Sequence, residues 1–285
     1  MLKVLLWFVS KDAYYLETAL DILERRHGGL DIVGTETGDK IVEFDCRACD
    51  VMLVVGAKQI GMSEVVKFAR QLNLPEEKLL GDWIVCVPGF TLDKYRKLQR
   101  SRLSIFAMNC FGGLISHTLG LPFRSPFVNI FFREKDFLNF LRAPQAYMDE
   151  TPILKETLWE QNLKRDYPVV MLGDVEIHMN HYRDFDEAVD ARNRRKARIN
   201  WYNLFVTAYT ESEEFLQEFD ALPFGKKVCF VPFESDADSA WYINPEIKRG
   251  LEFWDIVNHF GIGDPFYYDP FNMLLYGKKT PLIEM

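Results

Sequence analysis

The sequence predicts an α/β protein made of two consecutive α/β domains, residues 1–95 and residues 96–285. Short apolar runs of strand length alternate with segments whose apolar residues recur at helical spacing, which is the pattern of βα units around a parallel sheet. The pattern is interrupted by the polar, basic segment "TLDKYRKLQRSR", residues 91–102, and then begins again. A chain of 285 residues has room for two such domains.

The first domain opens with "KVLLWFV", residues 3–9, a continuous apolar run that predicts a strand buried on both faces. A helix over "DAYYLETALDILERR" follows and stops at Gly28 and Gly29. The turn between them, "VSKDAYY", lacks glycine, so this Rossmann-like domain carries no dinucleotide-binding loop. The remaining predicted elements are strands in "LDIVGTE", "CDVMLVVGA" and "LLGDWIVCVPGF" and a helix in "MSEVVKFARQLNL".

The second domain repeats the alternation after a basic linking helix. Its predicted strands are "LSIFAM", "FVNIFF", "YPVVML", "VEIHM", "NLFVTAY" and "KKVCFVPF", with "NCFGG" as a turn. Its predicted helices are "LISHTLG", "EKDFLNFLRAPQAYM", the basic segment after Asp184, "SEEFLQEFDAL" and "NPEIKRGLEFWDIVNHFG". The aromatic segment "FYYDPFNMLLY" near the end predicts core packing.

Composition narrows the classes of partner. The formal net charge of -8 disfavours a nucleic-acid binder and an anionic membrane surface.

No apolar run approaches the roughly 20 residues that a membrane-spanning helix needs. The first apolar run is shorter than that of a signal peptide, and no small-residue cleavage site follows it. Five cysteines, an odd number without regular spacing, indicate a reducing cytoplasm.

The segment "GDVEIHMN", residues 173–180, combines a strand pattern with chemistry. Val175, Ile177 and Met179 alternate with polar residues, so one face is apolar and the other carries Asp174, Glu176, His178 and Asn180. An exposed sheet face and a ligand-facing strand both fit this pattern. A histidine beside a carboxylate suits general acid–base work near neutral pH. We therefore expect His178 or His181 to be a catalytic base, oriented by Asp174, and Glu176 is the second candidate to orient His178.

Metal binding by the two histidines is not predicted. His178 and His181 are three residues apart, which places them on opposite faces of a strand. The sequence assigns no metal site and identifies no cofactor.

A basic helix follows directly. Asp184 and Glu187 form a capping box, which predicts that the helix begins there. Its apolar stripe runs into Arg192 and Arg195, where core residues would be expected. A solvated basic end that favours the helix dipole explains this pattern, and so does an anion pocket. Under the second interpretation, guanidinium contacts to phosphate or carboxylate come from Arg194, Arg195 and Arg198.

The segment "NCFGG" lies between a predicted strand and a predicted helix. Asn109, Gly112 and Gly113 would offer a tight turn whose N–H groups cradle a second anion. Cys110 there could act as a nucleophile with a lowered pKa, or it could be a small buried cysteine.

Taken together, four strings in this order resemble a bacterial family known as domain of unknown function 1919: "NCFGG", "SPF", "GDVEIHMNHY" and "NRRKARINWYNLFV". The resemblance covers residues from about 100 to 230. Members are often labelled exopolysaccharide biosynthesis proteins, so the resemblance implies an α/β domain with a place in surface-polysaccharide synthesis. The segments "LDIVGTE" and "ACDVMLVVGA" of the first domain are similar to Rossmann-like modules that accompany such enzymes.

The resemblance also implies site residues. The family's recurrent positions fall on Asn109, Cys110, Gly112, Gly113, Ser125, Pro126, Asp174, His178, His181, Tyr182, Arg195, Arg198, Asn200 and Asn203. Two positions depart from the pattern. Met108 stands where members often have a second asparagine, and Arg192 stands where they often have tryptophan.

The predicted function is a glycosyltransferase-like enzyme that acts on a phosphate-bearing sugar donor or acceptor, such as a nucleotide sugar. Two alternatives remain open. One is a non-catalytic binding or scaffold protein of a polysaccharide locus, and the other is a hydrolase that uses Cys110 with a histidine.

Overall fold

Parallel β-sheets flanked by helices form the framework of this mixed α/β protein, as the sequence predicts. The computed structural model describes residues 1–161, 163–248, 250–262 and 266–282. The chain divides into two units, Met1–Arg100 with Ser116–Pro122 and Ser101–Ile115 with Phe123–Met285. The domain boundary predicted between residues 95 and 96 falls inside a helix, Leu92–Arg100.

The first unit contains a four-stranded parallel sheet in the order β2-β1-β3-β4. The strands are β1 (Leu2–Phe8), β2 (Leu30–Thr37), β3 (Val51–Val55) and β4 (Leu79–Gly81). The helices are α1 (Leu16–His27), α2 (Met62–Gln71), α3 (Asp82–Val85) and α4 (Leu92–Arg100), with short 3-10 helices at Gly38–Glu43, Cys46–Ala48 and Glu76–Lys78. Gly28 ends α1 at φ 67°, a left-handed conformation that suits glycine, so the predicted stop is confirmed.

One predicted strand of this unit is wrong over most of its length. The apolar segment from residue 79 to residue 90 forms a strand only at Leu79–Gly81 and then turns into α3. Every residue of α3 is buried. A short apolar run buried on all sides does not distinguish a strand from a helix, because neither period leaves a polar face.

The second unit has seven strands in its described part. They are β5 (Ser104–Ala107), β6 (Ile153–Glu160), β7 (Arg165–Leu172), β8 (Val175–His178), β9 (Leu204–Tyr209), β10 (Lys227–Val231) and β11 (Ala240–Tyr242). A parallel sheet has the order β11-β10-β9-β5, and an antiparallel sheet has the order β6-β7-β8. The strands β6 and β11 were not predicted.

The helices of this part are mostly where the sequence places them. They are α5 (Phe111–Thr118), α6 (Glu134–Arg142), α7 (Pro144–Asp149), α8 (Phe185–Lys196), α9 (Glu213–Asp220), α10 (Phe253–Ile262) and α11 (Pro270–Tyr276). Asp184 caps α8 by accepting from the Glu187 N–H at 2.8 Å, as predicted. The helix predicted over residues 244–261 is a 3-10 turn, Pro245–Lys248, followed by α10, while residue 249 lies outside the described residues.

Two expectations for the second unit are corrected. The predicted turn "NCFGG" is only partly a turn, because α5 begins at Phe111 and both glycines lie in its first turn. The predicted strand over residues 127–132 is wrong. Its one ladder contact is a bridge between Phe131 and His178, and Asn129 has a positive φ of 64°. This segment packs instead through aromatic rings, since Phe127 lies edge-on to Phe106 with centroids 5.5 Å apart.

Among the described residues, no helix has the length and apolar content needed to cross a membrane.

Candidate functional site

A cavity of about 550 Å³ opens in the second unit. It lies where β5 and β9 end, with Asn109 just after β5 and Tyr209 as the last residue of β9. The carboxyl ends of parallel strands are the usual place for ligands in α/β sheets. The lining residues are Asn109, Cys110, Leu114, Asn129, Phe131, Glu160, Leu163, Asn180, His181, Tyr209, Trp254, Asp255 and Asn258.

Asparagine amides dominate the polar part of this lining. The Asn109 side chain is 7% exposed, and its Oδ1 accepts from the Phe111 N–H at 3.1 Å. Its Nδ2 is buried and has no hydrogen-bond partner among the described residues, and the same holds for Oδ1 of Asn180 and Oδ1 of Asn258. A buried polar atom without a partner costs about 1–3 kcal/mol, so a ligand group that reached any of these three atoms would relieve that cost.

His181 is the titratable side chain of the lining best suited to proton transfer. It follows β8 in the chain and is exposed, as a group on the wall of an open cavity is. Partial burial lowers the pKa of His181, the positive charge of Arg165 lowers it further, and Glu160 opposes both effects. The imidazole is therefore mainly neutral near pH 7 and able to accept a proton.

Aromatic rings and two carboxylates complete the cavity. Phe131, Tyr209 and Trp254 supply ring surfaces, and the Trp254 side chain is 43% exposed. The carboxylates belong to Glu160, the last residue of β6, and Asp255 on α10. Aromatic rings beside amides and acids are a lining that suits a polyhydroxylated ligand.

Cys110 reaches this cavity as a protonated thiol. Burial raises the pKa of Cys110 to about 11. A thiol with that pKa is a poor nucleophile at neutral pH, because the thiolate is the reactive form. This environment does not favour the hydrolase alternative.

His178 lies outside the cavity lining. Its side chain is enclosed, with the residue 1% exposed, and its Nδ1 lies 3.1 Å from the Tyr167 hydroxyl. Its Nε2 lies 2.9 Å from Oε1 of Glu176, which also pairs with Lys155. Burial lowers the pKa of His178, and the charge of Glu176 opposes that effect. The polar face of β8 is thus neither a solvated surface nor a cavity wall at this position.

Asp174 is not brought to either histidine. It lies in the exposed turn between β7 and β8 and accepts a hydrogen bond of 2.7 Å from the Tyr147 hydroxyl. The carboxylate beside His178 is that of Glu176 instead.

The glycines and Ser125 have packing and turn roles. A Cβ on Gly112 would lie 3.0 Å from Cβ of Ala107, and one on Gly113 would lie 3.2 Å from Cγ1 of Val128. Both positions therefore permit close approach to a neighbouring segment, and neither glycine lines the cavity. Ser125 is buried, and its hydroxyl accepts from the Phe127 N–H at 3.1 Å.

The basic helix does not line the cavity either. Arg195 donates to the Tyr182 hydroxyl and, at 3.5 Å, to the carbonyl of Val128, which also accepts from Tyr182 at 2.9 Å. Arg192 is buried and donates to the Met148 carbonyl at 2.8 Å. These two arginines therefore hold backbone carbonyls rather than carboxylates.

The other predicted contacts of this region lie at the surface or at the start of a strand. Arg194 and Arg198 are exposed. The Asn200 Nδ2 donates to the Arg102 carbonyl at 3.1 Å, and the Asn203 Nδ2 donates to the Ser101 carbonyl at 2.8 Å. Both asparagines thus join the chain before β9 to the chain before β5.

No group of three or more His, Cys, Asp and Glu side chains in the described ranges has an arrangement that could hold a metal ion.

Comparison with known proteins shows to which family the chain belongs. The sequence profile of the family described as domain of unknown function 1919 matches residues 85–276. The chain belongs to this family. An uncharacterized protein of Haemophilus influenzae is 34% identical over 181 residues, which is 62% of this chain and 84% of that protein. The family match includes every residue of the cavity lining.

Of the predicted residues, the fold brings Asn109, Cys110 and His181 together at the cavity. Most of their neighbours in the cavity were not predicted, and these residues come from the end of β6, the segment before α6, the end of β9 and α10. One signal was available: Asn180 continues the polar face of "GDVEIHMN". No comparable pattern marks Asn129, Glu160 or Asn258.

Proposed function

We propose that this protein is an enzyme of carbohydrate assembly, which binds a hydroxyl-rich sugar in the cavity and transfers a glycosyl group from a phosphorylated sugar donor. The observation that carries the proposal is the set of buried, unpartnered amide atoms of Asn109, Asn180 and Asn258 around one cavity in the described part of the chain. A sugar hydroxyl both donates and accepts hydrogen bonds, so adjacent hydroxyls satisfy amide nitrogens and oxygens alike.

The shape of the cavity supports a sugar ligand. Its volume of about 550 Å³ lies within the range of small-molecule sites. The rings of Phe131 and Trp254 offer flat apolar surface for the C–H faces of a sugar ring. Among the described residues of the lining there is no arginine or lysine, so the body of the cavity suits the neutral part of the ligand rather than its phosphate.

His181 is the proposed general base. Its neutral ring nitrogen takes the proton from an acceptor hydroxyl, and the hydroxyl oxygen attacks the anomeric carbon of the donor. A new C–O bond forms while the bond between the anomeric carbon and the phosphate oxygen breaks. The phosphate group leaves with the bonding electron pair. We assign the contact to that phosphate to Arg165, whose charge acts on His181.

The biological setting follows from the resemblance of "NCFGG" and "GDVEIHMNHY" to proteins labelled for exopolysaccharide biosynthesis. We place the reaction in the cytoplasm, in bacterial surface-polysaccharide synthesis, with a nucleotide sugar or another phosphorylated carbohydrate as donor. The competing proposal is a non-catalytic binding protein of the same locus. Both proposals predict that the protein binds the ligand, and only the transferase proposal predicts turnover.

A ligand panel tests the proposal directly. Neutral monosaccharides, disaccharides, sugar phosphates and nucleotide sugars are titrated into the full chain by calorimetry and thermal shift. We expect saturable binding by at least one class and a loss of affinity of about tenfold or more in Asn109→Leu and Asn180→Leu, because each variant removes one hydrogen bond to the ligand.

The matched control is Asn193→Leu, a substitution of the same kind at an exposed position on α8. We expect it to bind as the wild type does. If every sugar class fails to bind, or if the two cavity variants bind as tightly as the control, the carbohydrate proposal is wrong.

A further inference from the structure

A cluster of positively charged side chains lies at the amino ends of the strands whose carboxyl ends carry the cavity. Strands β5 and β9 are parallel and in register, with Ser104 beside Leu204. Their amino ends are therefore adjacent, and Arg102 precedes the first of them. Six residues of mostly extended chain separate Arg102 from Asn109, which corresponds to roughly 20 Å.

Hydrogen bonds hold Arg198 near this edge. The backbone N–H of Asn200 donates to the Ser104 hydroxyl at 2.9 Å, and the Asn200 Nδ2 donates to the Arg102 carbonyl. Arg198 is two residues before Asn200, so the same contacts fix its backbone beside that of Arg102. Both arginines are exposed to solvent.

Arg124 is the third member of the cluster. Its side chain is partly buried, and burial lowers the pKa of Arg124. The positive charges of Arg102 and Arg198 lower it further, which requires both to be near. The Arg124 guanidinium is therefore repelled by both of the other two arginines.

This repulsion is not relieved by carboxylates. Within the described ranges, no acidic side chain forms an ion pair with Arg102, Arg124 or Arg198, although the chain has 42 acidic and 34 basic residues. Elsewhere arginines do pair, as Arg70 does with Glu76 and Arg183 with Glu187. An uncompensated cationic cluster in an acidic protein is the electrostatic arrangement of an anion site.

Two neighbouring side chains extend the cluster, one with a further positive charge and one that is exposed to solvent. Lys226 precedes β10 and donates to Oδ1 of Asn203 at 2.5 Å, which places a fourth cation at the same edge of the sheet. Tyr202, which precedes Asn203 in the chain, is fully exposed. The edge is thus positively charged and accessible to a ligand from solvent.

We propose that Arg102, Arg124 and Arg198 form a second ligand site, separate from the cavity, that binds the phosphoryl group of an organic phosphate. Phosphate is favoured over carboxylate because a tetrahedral dianion presents oxygens to several guanidinium forks at once, whereas one arginine already satisfies a carboxylate. This site goes beyond the proposed transferase reaction and stands on different residues.

The test titrates inorganic phosphate and pyrophosphate into the full chain at constant ionic strength, with chloride as the reference anion. We expect saturable binding that weakens by about tenfold or more in Arg124→Gln and Arg198→Gln, with partial recovery in Arg198→Lys, since lysine keeps the charge and loses the fork. Arg26→Gln, an exposed arginine of α1, is the control with the same charge change. The cavity variant Asn109→Leu is expected to bind phosphate normally.

A second arm separates two sources of phosphoryl group. Vesicles of phosphatidylglycerol in phosphatidylcholine are compared with pure phosphatidylcholine by co-sedimentation. Binding to the anionic vesicles that requires the three arginines identifies a lipid headgroup, while binding to phosphate and pyrophosphate alone identifies a soluble phosphate. Absence of binding in both arms overturns the proposal, and so does phosphate binding that survives Arg124→Gln and Arg198→Gln or disappears with Asn109→Leu.

Discussion

The imidazole of His178 lies flat against the phenyl ring of Phe131, with ring centroids 4.3 Å apart and planes inclined by 11°. The backbones of the two residues exchange hydrogen bonds of 2.9 Å in both directions. Phe131 lines the cavity and His178 does not. The histidine thus supports a wall of the cavity, and His181, three residues further along, is the imidazole within it.

The enclosure of His178 predicts a loss of stability in mild acid. Burial lowers the pKa of His178 in the folded state below the usual value of 6.5. Between these two values the unfolded chain binds more protons, so the free energy of unfolding falls as pH decreases from about 6.5 toward the lowered pKa. We expect His178→Gln to show a smaller drop than the wild type between about pH 7.5 and pH 5.5.

Urea unfolding at the two pH values measures this difference. His181→Gln serves as a comparison, since the pKa of His181 is also lowered and its contribution has the same sign. An equal drop in His178→Gln and in the wild type would contradict the prediction.

The proposed base predicts a separation of binding from turnover. We expect His181→Gln to bind sugar ligands as the wild type does and to lose about 10²- to 10⁴-fold in rate. The wild-type rate is expected to rise with pH through an apparent pKa below 6.5, because only the neutral imidazole accepts the proton.

Release of the donor phosphate or nucleotide over a pH series measures both quantities. Equal turnover in His181→Gln would exclude His181 as the base. Binding without any turnover in the wild type would instead favour the non-catalytic binding protein.

The buried thiol of Cys110 predicts chemical inertness. With its pKa raised to about 11, the thiolate fraction near neutral pH is on the order of 0.1% or less. We expect Cys110→Ala to retain ligand binding and turnover, and iodoacetamide to label Cys110 more slowly than free glutathione. Mass spectrometry of labelled peptides follows the reaction, and rapid stoichiometric labelling would restore the hydrolase alternative.

The position of Gly112 predicts a packing defect rather than a loss of ligand contact. Its substitution by alanine places Cβ 3.0 Å from Cβ of Ala107 and 3.2 Å from Cγ2 of Ile105. We expect Gly112→Ala to lower the free energy of unfolding by about 1–3 kcal/mol through overpacking. Gly225→Ala is the control, because a Cβ there meets nothing within 4 Å. Chemical denaturation compares the two, and equal stabilities would show that α5 accommodates the methyl group.

Local elements are the part of this fold that the sequence predicts well. The apolar run of β1, the capping box before α8 and the alternation along β8 all depend on neighbouring residues. Val175, Ile177 and Met179 point into the core as their spacing requires. Backbone periodicity and caps are short-range properties, so one sequence suffices to recognise them.

The sequence by itself therefore determined the two-part α/β class, the strand that precedes His181 and the basic helix beside it. Only the tertiary structure decided which of these groups meet. It enclosed His178, assigned Arg195 to Tyr182 and joined Asn109 and Asn180 with Asn258 around a cavity. These contacts join residues far apart in the chain, and no local period encodes them, because they arise from strand order and from the packing of separate elements.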